Sequence, residues 1–168
     1  MGLGNVALAV IAACSVGRTY LASGALPERV ASHFDGSGQP NGWMTRDAFV
    51  TTNVTMFAVL LVVFLGMPAF LRHVPVRFVN LPNKDYWLAP ERREGSVQRV
   101  GEWLSWLGVA TALVLALAEE LALRANLDGG GRMTSMPLVV GLGAYAAFMG
   151  GWLVAFYAAF RLPKAVRR

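Results

Sequence analysis

Four apolar runs constrain this chain more than anything else in it. They are GNVALAVIAACSVGRTYLAS (4–23), AFVTTNVTMFAVLLVVFLGMPAFL (48–71), VGEWLSWLGVATALVLALAEEL (100–121) and MPLVVGLGAYAAFMGGWLVAFYAAF (136–160). About 20 apolar residues are enough to cross the bilayer core as a helix. In lipid the backbone must satisfy its own hydrogen bonds, so such runs are helical. The expected fold is an all-α integral membrane protein: four transmembrane helices forming an up-down bundle, in a single domain over residues 1–168.

Composition narrows the class in the same direction. The chain is 55% hydrophobic and 15% charged, whereas a soluble domain carries about 25% charged residues. A net charge of +5 raises nucleic acid as a partner, but the basic residues lie at the ends of the apolar runs. That is the membrane pattern, and no nucleic-acid partner is expected. One cysteine, Cys14, excludes an intrachain disulfide. Ile11-Ala12-Ala13-Cys14 has the look of a lipobox, but no basic residue precedes it, so Cys14 reads as a helix residue. No zinc-ligand spacing, nucleophile–base pair or phosphate-cradling glycine loop stands out. Neither an enzyme nor a cofactor is expected.

Basic residues set an orientation. Arg72, Arg77, Lys84, Arg92, Arg93 and Arg99 lie between the second and third runs, and Arg161, Lys164, Arg167 and Arg168 follow the fourth. Against these stand Arg29, Arg46, Arg124 and Arg132. The positive-inside rule places both termini and loop 72–99 in the cytoplasm, with the segment 26–43 outside.

Small residues recur at spacing four: Ala9, Ala13 and Gly17 in the first run, Gly108, Ala112 and Ala116 in the third, and Gly143, Ala147, Gly151, Ala155 and Ala159 in the fourth. Such stripes let helices approach closely in lipid. They predict packing within the bundle, or an interface with a second copy or a partner membrane protein.

Ionisable residues inside spans are costly and need a reason. Arg18, Asn53, Glu119 and Glu120 fall at similar depth on the outer side. A pair between Arg18 and either glutamate, with Asn53 nearby, would make a polar cluster for a ligand or ion, or simply a helix tie. The plainer alternatives are an Arg18 that snorkels outward and a Glu120 paired with Arg124 one turn on.

The segment LPERVASHFDGSGQPNGW (26–43) interrupts this apolar pattern. Leu26, Val30 and Phe34 recur at spacing four, which predicts a short amphipathic helix over 26–34 on the outer surface. Asp35-Gly36 would stop it, Gln39-Pro40-Asn41-Gly42 would make a tight turn, Trp43 would anchor at the interface, and Thr45 would cap the next span with Asp47 in its first turn. His33 reads as a histidine bonded in the turn, or with Asp35 as half of a metal or acid–base site. On the other side, Asn80, Pro82, Lys84 and Trp87 lie in a proline-bracketed segment suited to an interfacial anchor or a binding loop.

The positions Leu26, Pro27, His33, Phe34, Gly38, Pro40, Gly42 and Trp43 resemble the signature of a small bacterial membrane family, domain of unknown function 1648, over about residues 13–65. The segment from Asn80 to Pro90 is similar to one in longer members. The domain occurs in SdpI-like immunity and signalling proteins. With the polar features that converge on the outer side, the expectation is a non-enzymatic sensor or immunity-type protein contacting an extracytoplasmic peptide or small ligand through His33, Phe34, Trp43, Arg18, Asn53, Glu119 and Glu120. A small transporter and an accessory subunit of a membrane complex are the other readings.

Overall fold

The computed structural model describes residues 2–129 and 131–163. Lys164, Arg167 and Arg168, part of the charge pattern above, lie outside the described residues. The chain runs α1 (Leu3–Ala22), β1 (Arg29–Phe34), β2 (Pro40–Thr45), α2 (Arg46–His73), a short α3 (Lys84–Trp87), α4 (Arg93–Leu127) and α5 (Ser135–Ala159). Among the described residues, four helices are long and apolar enough to cross a membrane, so this is a multi-pass membrane protein.

α4 is the axis of the molecule. At 35 residues it is about 52 Å long, well beyond the roughly 30 Å core of a bilayer. α1 lies beside it in parallel: Gly4 meets Ser105 and Leu8 meets Gly108. α2 lies antiparallel, with Phe64 against Gly108 and Pro68 against Gly101. α5 is antiparallel too, with Gly141 against Leu117 and the Tyr145 hydroxyl 3.0 Å from that of Thr111. Successive spans therefore alternate in direction.

Packing tightens where α4 offers no side chain. A Cβ on Gly101 would sit 2.7 Å from Pro68 Cγ, and one on Gly108 2.8 Å from the Phe64 ring. The mid-bundle core is Leu8, Ala12, Phe57, Leu60, Val109 and Ala112. The predicted stripes of α1 and α5 face elsewhere. Ala13, Gly143, Ala147, Gly151 and Ala155 are exposed, and Gly17 has open space around it. α1 instead turns Leu8, Ala12 and Thr19 inward, and α5 turns Gly141, Tyr145, Met149 and Trp152 toward α4. Only Gly108 and Ala112, of α4's stripe, sit in the core.

The surface helix expected over 26–34 is a β-hairpin. β1 pairs antiparallel with β2: Arg29 lies opposite Thr45, Val30 opposite Met44, Ala31 opposite Trp43 and Phe34 opposite Pro40. Spacing four is even, so it puts Val30 and Phe34 on one side of a strand as well as of a helix. The tight turn is also displaced from the expected position. It spans Asp35–Gln39, with Asp35 Oδ1 accepting from the Ser37 and Gln39 amides at 2.8 and 3.0 Å and Gly38 at φ +82°. Pro40 opens β2, a strand position that tolerates a missing N–H.

Val30 and Leu26 are fully buried with Ala22, Phe49, Ala122 and Leu123, and Phe34 packs on them. The hairpin is thereby seated on the ends of α1, α2 and α4. Thr45 Oγ1 accepts from the Ala48 amide at 3.2 Å, capping α2 as the sequence predicts.

At the opposite end, Leu81, Leu88, Val100 and Phe160 form a third core. The last carbonyls of a helix lack intrahelical partners. Here Phe160 O, at the end of α5, accepts from Asn83 Nδ2 and Trp87 Nε1, both at 2.8 Å. Of the loop residues singled out in the sequence, Trp87 thus acts as a helix cap. Lys84 Nζ reaches Arg77 O at 3.3 Å, Pro82 opens the turn before α3, and Asn80 is exposed.

Candidate functional site beneath the hairpin

Polar side chains from three helices converge at the hairpin end. Ser15 and Thr19 lie one turn apart on α1 and so share a face. Their hydroxyls donate to the two carboxylate oxygens of Glu119 on α4, Ser15 to Oε2 and Thr19 to Oε1. Glu119 is 8% exposed and Thr19 1%. A buried carboxylate is tolerable only with such donors.

The neighbouring glutamate does different work. Arg18 Nε lies 3.2 Å from Glu120 Oε2, and Arg124 Nε donates to Glu120 Oε1 at 2.8 Å. Arg18 and Arg124 are largely exposed. This is a surface triad tying α1 to α4. Of the two pairings open to Arg18, the structure takes the one with Glu120, which also keeps the helical pair with Arg124.

Asn53 on α2 completes the set. It is 5% exposed, and among the described residues neither its Nδ2 nor its Oδ1 has a partner. Buried amides are nearly always hydrogen-bonded, and one left unpaired costs about 1–3 kcal/mol. Asn53 borders a cavity of about 240 Å³ under the hairpin. Its other walls include Ser32, His33 and Met44 from the hairpin, Phe49 and Met56 from α2, and Leu115 and Glu119 from α4. A second cavity, of about 320 Å³, lies between α1 and α4 and is lined by Ser15, Arg18, Glu119 and Glu120. Glu119 borders both.

The hairpin residues divide. His33 is exposed, lines the cavity under the hairpin, and has Nδ1 3.2 Å from Ser32 Oγ. Opposite it stands Gly42, where a Cβ would come within 3.0 Å of His33 Cβ. Asp35 is spent on its own turn, so it does not join His33. The Ser37 hydroxyl and the Gln39 amide, foremost among its donors, hold the Asp35 carboxyl below the ordinary carboxylate value. Phe34 serves the hairpin core. Trp43 is 47% exposed beneath the Arg29 guanidinium, 5.0 Å from the ring centre. Neither Phe34 nor Trp43 lines the cavity. Among the described residues, no three of His, Cys, Asp and Glu come together as a metal site would require.

Sequence reasoning missed Ser15 and Thr19, the donors to Glu119. It also missed Asn126, whose Oδ1 accepts from Ala31 N at 2.8 Å and whose Nδ2 donates to Ala31 O at 2.9 Å. Two hydroxyls at spacing four in an apolar run were the available signal for the first pair.

Neither the curated proteins nor the solved structures contain a match to this chain. The family comparison is positive over the segment that supplies the end of α1, the hairpin and most of α2. Residues 10–71 match the model of the family described as Domain of unknown function (DUF1648).

Proposed function

We propose that the protein is a non-enzymatic binder of the bacterial cytoplasmic membrane, a sensor or immunity-type protein that takes a small ligand, or one side chain of a peptide, beneath the hairpin on the extracytoplasmic side. The observation that carries this reading is Asn53: a buried amide with no partner among the described residues, at the wall of a cavity also bordered by His33 and Glu119. A group offering both a donor and an acceptor would complete it. The cavity lies below the roughly 300–1,000 Å³ of drug-sized sites, which favours a compact ligand. The sidedness follows from the basic residues concentrated at the other end.

The test is Asn53→Leu, close in volume and apolar. If the amide is kept for a ligand, the variant is the more stable protein in detergent but loses the small molecule that co-purifies with wild type, read by mass spectrometry of the extracted protein. A variant that is less stable and carries the same molecules as wild type would sink the proposal.

Transport is the second reading. Its support is that Glu119 borders both cavities, so a small cation could pass from one to the other. Flux into liposomes that disappears in Glu119→Gln would favour it over a binder.

A further inference from the structure

A different site lies at the opposite end, on the outside of the bundle. Between α4 and α5 a groove of about 630 Å³ is walled by Glu102, Trp106 and Phe148 and floored by Gly151 and Ala155. Among the described residues Glu102 has no ion-pair partner, although cations are near. Arg72 is held by Glu94, with N···O distances of 3.1 and 2.7 Å. Arg99, one turn before Glu102, lies over the rings of Trp87 and Phe160 at 5.6 and 5.3 Å. The nearby positive charges are committed elsewhere, and Glu102 borders the groove with the half-exposed indole of Trp106 beside it.

A carboxylate next to Trp is a receptor for an alkylammonium group, through an ion pair and a cation–π contact. The depth suits a lipid headgroup. Trp87, Trp103, Trp106 and Trp152 all lie at this end, and tryptophans favour the headgroup level. Trp152 is pinned by its indole N–H to Trp103 O at 3.0 Å, which fixes the wall of the groove. Below the groove, the exposed small residues Gly151, Ala147 and Gly143 continue along α5. From Ala155 to Gly143 is about 18 Å, close to the half-thickness of about 15 Å that one acyl chain spans.

We infer that this groove binds an amine-bearing phospholipid of the phosphatidylethanolamine class, with its ammonium on Glu102 and Trp106 and an acyl chain laid along the small-residue track of α5. The inference does not depend on the cavity beneath the hairpin. It also runs against the local trend, because the rest of this end is basic and by itself favours anionic lipid.

Native mass spectrometry of the full-length protein in detergent, titrated with phosphatidylethanolamine or phosphatidylglycerol of matched acyl chains, tests it. Wild type should retain one phosphatidylethanolamine about tenfold more tightly than Glu102→Gln does, the scale of one charged hydrogen bond. Phosphatidylglycerol binding should not weaken in that variant. Gly151→Leu, on the exposed face, should fill the track and cause a similar loss. Glu91→Gln, an exposed carboxylate paired to Arg92, should leave binding unchanged. Free glycerophosphoethanolamine, lacking acyl chains, should not compete. Equal retention by wild type and Glu102→Gln, or competition by the free headgroup at the lipid's own concentration, would overturn the inference.

Discussion

Asn126 holds Ala31 by both halves of its amide, accepting from the strand N–H and donating to the strand carbonyl. The side chain thus completes an edge of β1 as a neighbouring strand would, and it fastens the hairpin to the end of α4. Its Nδ2 also reaches Ala122 O at 2.8 Å, which fixes the rotamer. Asn126→Ala should cost about 1–3 kcal/mol, since it strands two backbone groups. Hydrogen exchange at the Ala31 amide should rise well before the spans open. Asn126→Asp, which keeps the acceptor and loses the donor, should fall between the two.

Gly38 should tolerate no side chain. Its φ of +82° disfavours L-residues, and an added Cβ would collide with the Met133 carbonyl oxygen. The same turn is latched by Met133 N donating to Gly38 O at 2.9 Å and by Arg132 donating to Ser37 O at 3.1 Å. Gly38→Ala should lower the thermal midpoint by several degrees, on the order of 1–3 kcal/mol. Gly36→Ala, with open space around it, should change it little.

The hairpin tip should loosen in acid. The Asp35 value in the folded protein lies below that of a free aspartate. Ionised Asp35 therefore supports the turn fully above the free value, and the support is lost as pH falls through the folded one. Limited proteolysis at the tip should accelerate over that acidic range in wild type. Asp35→Asn should remove the acid step, because its oxygen accepts without titrating.

Ser15 and Thr19 should matter to stability more than surface hydroxyls do. Removing either one leaves a buried carboxylate oxygen of Glu119 short of a donor, at about 1.5–3 kcal/mol for a charged hydrogen bond. The double variant Ser15→Ala/Thr19→Ala should cost more than either single change in a detergent melt. If Glu119→Gln restores part of that loss in the double-variant background, the charge was the burden.

Sidedness can be read by thiol labelling in a Cys14→Ala background. Ser37→Cys at the hairpin tip should react with an impermeant reagent from outside whole cells. Glu91→Cys, exposed at the other end, should react only after permeabilisation. The reverse pattern would invert the orientation.

Long apolar runs made the spans legible to within about two residues for α1, α2 and α5. α4 extends further at both ends, from Arg93 to Leu127, because its outer turns are polar and hydropathy does not register them. The hairpin was misread for a geometric reason: a spacing of four serves a strand and a helix alike, and what decides between them is tertiary. Val30 and Ala31 are both buried, one against the helix ends and the other under Asn126, a partner about a hundred positions away in sequence. Asn53, Glu119 and Arg18 were visible as polar residues in apolar runs. Their partners were not, because an intramembrane hydroxyl such as Ser15 or Thr19 can equally bond its own helix backbone. Of the small-residue stripes, that of α4 packs within the bundle, whereas those of α1 and α5 are largely exposed, because residue size alone does not decide which face a helix turns to its neighbours.

The position of α4 bears on what the family segment is. Residues 10–71 stop before α4 begins, yet α4 supplies Val109 and Ala112 to one core, Ala122 and Leu123 to the next, and the clamp on the hairpin. The segment is therefore an incomplete folding unit, a helical pair with a strand cap that lacks its keel. In this chain α4 is that third helix, and it brings both the acceptor for the α1 hydroxyls, Glu119, and the amide for the strand, Asn126.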